Sequence, residues 1–360
     1  FNSGDNEGVG YFEVNQRRGW RWNAKRAFLD PVRKRANLRI ITGAEATGLR
    51  MDGKRVTGVE FLRDGRPAIA HAGAEVVLAA GAIGSPKILE LSGIGAGAVL
   101  ARNGIAVRHE VPGVGENLAD HLQIRTVFRI TGSRTLNDLL KTPWGKLRVA
   151  GEYLLNRSGP MAMAPSQLGI FTRSGPEHET PNIEYHVQPL SLDRFGEPLH
   201  RFSGLTVSVC NLRPESRGHC HITGPDPRRA PHIQPNYLSA EADRRVATAS
   251  IRHARRLMAT RAMRAFSPVE HLPGAEIDGD DALARAAGDI STTIFHPVST
   301  CRMGPDEGSV VDPDLRVKGI AGLRIADASV MPAIPSGNTH APVTMIAEKA
   351  ADLIRAAARA

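Results

Sequence analysis

The stretch AEVVLAAGAIGSPKILELSGIG, residues 74–95, constrains the fold most. Its apolar run Val76–Ala80 reads as a strand buried on both faces, Gly81 and Gly84 as a tight turn, and Ser85-Pro86 as the cap and first position of a helix. A strand, a glycine turn and a helix in this order form the repeating unit of an α/β sheet. Because glycine lets a backbone approach closely and a helix N-terminus favours negative charge, the same unit can hold a phosphate or a flat ring. It serves equally well as a plain crossover, and the rest of the chain must decide.

At 360 residues with 41% hydrophobic content, the chain can bury one large or two medium cores. NLRIITGAEATGLRMDGKRVTGVEF alternates β-rich runs about the polar turn MDGKR and reads as a hairpin. From about His121 to Ala286, QIRTVFRI, SQLGIFTR, NIEYHVQPL and GLTVSVCNL read as strands of an antiparallel sheet, and 240–260 as a helix with a solvated basic face. The chain then returns to an apolar strand in GLRIADASVMP, ending at Asp327, and closes with a helix over 342–358. A carboxylate at such a strand end either meets a ligand or caps the next turn. The expected fold is α/β with an inserted α+β unit built on an antiparallel sheet: residues 1–120 and 287–360 form one domain, and 121–286 the second.

The formal charge of +9 raises the question of nucleic acid, but the basic residues read as scattered, without the dense, aromatic-studded stripe that a polyanion site needs. No nucleic-acid partner is expected. Cys210, Cys220 and Cys301 contain no CxxC pair and are odd in number, which argues against a disulfide framework and for a reducing compartment. No run approaches the length of a membrane-spanning helix. A cytoplasmic protein is expected, with peripheral membrane contact left open.

The segment TIFHPVSTCRM places His296 between apolar neighbours and before a stiffening Pro297. Phe295 and Val298 are expected to shield the imidazole, which suits either proton removal or a buried structural hydrogen bond. A metal is not expected, since no second histidine or carboxylate stands at ligand spacing around it. Cys301 has no accompanying base and is read as packing.

Six segments occur in one order: NEGVGYFEVNQRRGWRWNAKRAFLDP, VVLAAGAIGSPKILELSGIG, VPGVGENLADH, SRGHCHITGPDPRRAPHIQPNYLS, FHPVSTCRMG and GLRIADASVMPAIPSGNTHAPVTMIAEKAADLI. Together they resemble the glucose–methanol–choline (GMC) family of flavin oxidoreductases, closest to its bacterial choline-dehydrogenase-like branch. The resemblance implies an FAD-binding, Rossmann-like domain whose first βαβ unit, with its GxGxxG pyrophosphate cradle, has no counterpart here. The chain is therefore expected to be the later two-thirds of a longer protein. It also implies that His296 is the catalytic histidine and that the second catalytic residue lies in SGNTHAPV. Aligning the final helix without gaps selects Asn338; a two-residue slip would select His340. By the same resemblance, Asp327 and Ala328 contact ribitol and pyrophosphate, with Gly81 in the adjoining turn. Ala46 meets the adenine through its backbone, and Asn338, Thr339, Pro342 and Val343 bring the head of the last helix to the flavin ring. In VPGVGENLADH, which resembles the family segment that leaves the FAD domain and covers the cofactor, Asn117 can cap a turn and Asp120-His121 can face the cleft, but a structural turn is the first reading.

The implied activity is oxidation of an alcohol to an aldehyde or ketone, with hydride transfer to flavin N5. The alcohol is unspecified, and the electron acceptor is oxygen, a quinone or another oxidant. A hydroxynitrile lyase with a structural flavin, or an inactive remnant, are the alternatives.

Overall fold

The protein was analysed as a computed structural model, which describes residues 4–164, 166–194 and 196–359. The chain forms two units: one contains the residues up to Ile40, Leu122–Leu212 and Glu241–Thr292, the other Ile41–His121, Arg213–Ala240 and Thr293–Ala360.

In the first unit, β-branched and aromatic runs form the antiparallel sheet anticipated from the sequence. Its strands lie in the order Gly8–Tyr11, Leu168–Thr172, Ile183–Gln188, Gly204–Asn211, Leu122–Arg129 and Val269–Leu272. Val207 and Val209 are buried at the centre, opposite Thr126 and Ile124. Helix Glu241–Met258 covers this sheet: Ala247, Ile251, Ala254 and Met258 recur at helical spacing and are all buried. The Tyr185 phenol reaches from the sheet to His253 Nδ1 at 2.8 Å, and helix Asp280–Asp289 adds Leu283 and Ala287 to the same core.

In the second unit, strands Ala44–Asp52, Arg55–Arg63 and Arg66–His71 form an antiparallel meander. Its second turn, Asp64-Gly65, has φ of 51° and 77°, the left-handed pair that a tight two-residue hairpin requires. Val76–Leu78 pairs in parallel with Leu323–Ile325, so two strands far apart in sequence share one sheet. Leu78, Leu89, Ile94, Val298, Val311, Leu323, Ile325 and Val330 are packed into its core.

The structure departs from expectation in four places. The expected boundaries near 120 and 286 do not describe the two units, because Gly8–Tyr11 pairs with Leu168–Thr172 and takes the first 40 residues to the antiparallel sheet, while 213–240 joins the α/β unit. Strand Val76–Leu78 is buried on one face only, with Val77 38% exposed. Helix Gly81–Leu91 starts four residues before Ser85, so Ser85 and Pro86 lie inside it. The last helix starts at His340, not Pro342, because a proline is tolerated throughout the first turn where no N–H is needed.

Ile251 is fully buried beneath the sheet. Ile251→Ala should destabilise the antiparallel unit by about 2–5 kcal/mol, measured by denaturant unfolding, with an unchanged m-value.

Candidate functional site

His296 is held at its backbone and at both ends of its ring, all within the α/β unit. Its N–H donates to Asp120 Oδ1 at 2.9 Å. The other oxygen, Asp120 Oδ2, accepts the Tyr237 phenol and, at 2.5 Å, the Thr293 hydroxyl. The Thr293 Oγ1 in turn accepts the Phe295 N–H at 2.9 Å. At the ring, Nδ1 lies 3.1 Å from His121 Nδ1, with the two imidazoles edge to face, and Nε2 lies 3.4 Å from the Asn338 amide nitrogen. The Tyr237 phenol is pushed above its usual range by burial, and then by the Asp120 charge, so it remains a donor.

This geometry requires a sharply bent backbone. Phe295 and Ser299, on either side of His296, have φ of 64° and 74°, a left-handed conformation that costs side-chain-bearing residues about 1–3 kcal/mol each. One result corrects the expected shielding: the turn points Phe295 outward, 70% exposed, and only Val298 is buried beside the ring. Another is that, of the two readings of Asp120 and His121, the second describes them: both contact His296 directly. Tyr237 and Thr293 were not singled out by the sequence. Tyr237 lies in the quoted segment ending PNYLS, but nothing in its neighbours reveals the carboxylate it serves.

The terminal loop brings Asn338 to the imidazole, whereas His340 is an exposed residue at the start of helix His340–Ala357. Thr339 precedes that helix without a side-chain capping bond, and Asn338 is engaged with His296.

Asp327 terminates strand Leu323–Ile325 as a four-bond clamp. Oδ2 accepts from Gly81 N–H at 2.9 Å and Ser85 Oγ at 2.5 Å; Oδ1 accepts from Ser329 N–H at 2.8 Å and Ser329 Oγ at 2.5 Å. The acceptor capacity of the carboxylate is filled, so its side chain is structural and any ligand contact falls to the local backbone. Ala328 follows in the same turn and accepts the Ser299 N–H at 3.3 Å through its carbonyl. Gly81, at φ 78°, has open space where a side chain would start.

Pro86 adds a second link. Inside the helix it cannot donate to the carbonyl of Ala82, and that carbonyl accepts the Thr300 hydroxyl at 2.6 Å instead. The loop carrying His296 is thus attached to the glycine turn at the point where the helix ladder lacks a donor. Neighbouring Cys301 is fully buried, and burial raises its thiol well above the usual value, consistent with packing and not attack.

Ala46 is half-buried on strand Ala44–Asp52, and the next residue, Thr47, lines a groove of about 560 Å³ with Phe61, Ile69, Pro227 and Arg228. Pro342 and Val343 occupy the first turn of the last helix, and Val343 packs against the core.

A second charged cluster, buried at Glu90 and His221 and open to solvent at Glu116, adjoins helix Gly81–Leu91. His221 donates from Nδ1 to Glu90 Oε1 at 2.6 Å and from Nε2 to Glu116 Oε1 at 2.9 Å, while Glu90 Oε2 accepts the Ile222 N–H at 2.8 Å. Burial opposes the charged imidazole, but the two carboxylates outweigh it and raise its pKa. In the other unit, Asp193, His200 and His271 offer atoms within 4.8 Å of one another, a grouping that the sequence did not suggest. The Arg129 guanidinium lies 3.3 Å from His271 Nδ1, and this fixed positive charge opposes a cation there.

Two family models match the chain, both described as GMC oxidoreductase, one over residues 1–123 and the other over residues 214–347. An alcohol dehydrogenase [acceptor] of Pseudomonas putida is 38% identical over 358 residues, which is 98% of this chain and 64% of that protein. An oxygen-dependent choline dehydrogenase of Serratia proteamaculans is 40% identical over 94% of the chain and 61% of its own length. The chain therefore spans less than two-thirds of these relatives. Among solved structures, a pyridoxine 4-oxidase from Mesorbium loti matches with a TM-score of 0.86 at 29% identity, covering 98% of this chain and 65% of that one.

Two outcomes are expected. Asp327→Asn replaces one acceptor oxygen with a donor facing two donors, and should destabilise the α/β unit by about 2–4 kcal/mol in denaturant unfolding. His221, whose folded pKa is raised, contributes stability that is fully present below its unfolded value of about 6.5 and is lost as pH rises through the raised value. The melting temperature should fall across that window, and His221→Gln should remove the slope.

Proposed function

Because the chain belongs to the GMC oxidoreductase family, we propose that it carries the catalytic half of an FAD-dependent enzyme that oxidises an alcohol to an aldehyde or ketone. The observation that carries this reading is the imidazole of His296 fixed between His121 and Asn338. The α/β unit is assigned to FAD, and the antiparallel-sheet unit to the substrate.

The residues present fit the cofactor. The last helix begins without a side-chain cap beside Asn338, open space lies in front of Gly81, and the buried Ser299 hydroxyl has no hydrogen-bond partner among the described residues. Asn338, Thr339, Pro342 and Val343 would face the ring; Gly81, the backbone of Asp327 and Ala328 would face the ribitol and pyrophosphate, and Ala46 the adenine. When bound, FAD supplies the hydride acceptor.

The chain's own residues handle the proton. For Nε2 of His296 to accept it from the alcohol hydroxyl, the ring must carry its hydrogen on Nδ1, where His121 Nδ1 is the acceptor 3.1 Å away. His121 is then the Nε2–H tautomer. The Asn338 amide, 3.4 Å from Nε2, donates to the oxygen as it becomes an alkoxide. Asp120 fixes the backbone of the base without touching the reacting atoms.

The substrate is an alcohol, for which the P. putida and S. proteamaculans relatives provide the precedent, and the acceptor is oxygen, a quinone or another oxidant. Among the described residues no helix is long and apolar enough to cross a membrane. A cytoplasmic protein, with peripheral membrane contact left open, is part of the same reading.

In FAD-loaded protein, an alcohol substrate added without oxygen should bleach the flavin absorbance; a flavin that stays oxidised during turnover would indicate a lyase. His296→Ala should lower turnover by roughly 10²–10⁴-fold with FAD retained, and Asn338→Ala by about 10²–10³-fold. The wild-type rate should rise with pH as the imidazole loses its proton, and this step should vanish in His296→Ala. Loss of turnover in His340→Ala with Asn338→Ala fully active would reverse the assignment of the pair.

A further inference from the structure

Helix Pro143–Asn156, in the antiparallel-sheet unit, presents an apolar face away from the protein. Thr142 caps it by accepting the Gly145 N–H at 3.1 Å, and Pro143 occupies its first turn. Among its residues only Val149 is buried. At about 100° per residue, Trp144, Leu147, Leu154 and Leu155 fall within one arc of roughly 100°, opposite Val149. They are 79%, 61%, 66% and 84% exposed. Gly151 lies in the middle of that arc and has open space where a side chain would start.

The charges around this face are nearly all positive. Lys141, Lys146 and Arg148 are exposed on or beside the helix, and Arg157 ends it. The helix's one acid, Glu152, lies half-buried on the inward side. The hairpin of Gln16–Arg17 and Trp20–Arg21 packs onto this helix: the Tyr153 phenol donates to Gly19 O at 3.2 Å, and the Arg157 guanidinium lies 4.7 Å from the Trp20 ring. Arg26 also stacks on Trp20, at 5.1 Å, and Arg17 on Trp22 at 5.2 Å. Residues 16–40 contain nine lysines and arginines against one aspartate, which accounts for most of the chain's +9. A locally basic stretch of chain therefore adjoins the exposed stripe, although most of the 46 lysines and arginines lie elsewhere.

We propose that this helix, with the basic hairpin beside it, is a surface that lies in the headgroup region of a membrane rich in anionic lipid. Leucines and a tryptophan would enter the acyl boundary, lysines and arginines would meet the phosphates, and tryptophans stacked with arginine suit the interface between the two. At 14 residues the helix is too short to span a bilayer and lies along it. A nucleic acid would use the basic residues but leave the leucine stripe without a partner, so lipid is the occupant that satisfies both features. This inference is independent of the alcohol-oxidation reading.

The test is co-sedimentation of the full chain with vesicles of phosphatidylcholine alone and of phosphatidylcholine mixed with phosphatidylglycerol. Binding to the mixed vesicles should be stronger by at least about tenfold and should weaken with salt. Leu154→Glu combined with Leu155→Glu should abolish it, with the circular dichroism spectrum unchanged. Lys146→Gln combined with Arg148→Gln should weaken it by about tenfold or more at low salt. Ile233→Glu, a control at an exposed apolar residue of the other unit, should bind like wild type. The proposal is overturned if folded protein ignores the mixed vesicles, if the double leucine variant binds unchanged, or if the Ile233 control loses binding equally. It is also overturned if the stripe mediates only a concentration-dependent dimer, or if duplex DNA binds while vesicles do not.

Discussion

The carboxylate of Asp327 is the constraint on which the α/β unit depends. Its two oxygens tie together the end of one strand, the glycine turn after the neighbouring strand and the short turn that follows it in sequence. Leu323–Ile325 and Val76–Leu78 are more than 240 residues apart, and three residues of parallel pairing alone would hold them weakly. Four hydrogen bonds to one buried charge fix their relative height. The segment carrying His296 then lies against that clamp: Cys301 N–H donates to Ser329 O at 2.9 Å and Met303 N–H to Val330 O at 2.8 Å.

The site is thus assembled from four lengths of chain, around Asp120, Tyr237, His296 and Asn338. Residues 115–121 and 293–303 are laced together by Ala119 and Val298, each donating to the other's carbonyl, and by the Gly115 N–H to Thr300 O. Asp120 and His121 sit at the end of this lacing, so they meet His296 because backbone pairing delivers them there. The backbone N–H, Nδ1 and Nε2 of His296 all meet protein groups, from Asp120, His121 and Asn338. Those three contacts set the direction of the ring.

Much of the architecture was legible in the sequence, because it is written in local patterns. The four strands anticipated between 121 and 212 and the helix at 241–258 rest on alternation and helical spacing, and each appears within a few residues of its expected place. His296 and Asn338 were legible through motif order, and the structure places them side by side. What sequence could not supply were the long-range partners. Gly8–Tyr11 carries no sign that it will pair with Leu168–Thr172, so the first 40 residues were placed with the wrong unit. Asp120 looked like a turn residue, because a carboxylate in a polar loop gives no hint of Thr293 or Tyr237, which lie more than 100 positions away. The outward Phe295 was missed for another reason: apolar character favours burial, and only the left-handed backbone reverses it.

Pro86 and Thr300 show how an irregularity can specify a tertiary contact. In a regular helix each interior carbonyl already accepts one ladder N–H, and any further donor must share it, as the Ser92 N–H and hydroxyl share the Ile88 carbonyl. By withholding one amide, Pro86 leaves the Ala82 carbonyl available for the Thr300 hydroxyl. The two positions meet at one carbonyl although 214 positions separate them in the chain. A residue with an amide at 86 would make the threonine hydroxyl share the carbonyl with a ladder N–H, so the effect of changing either position depends on what occupies the other.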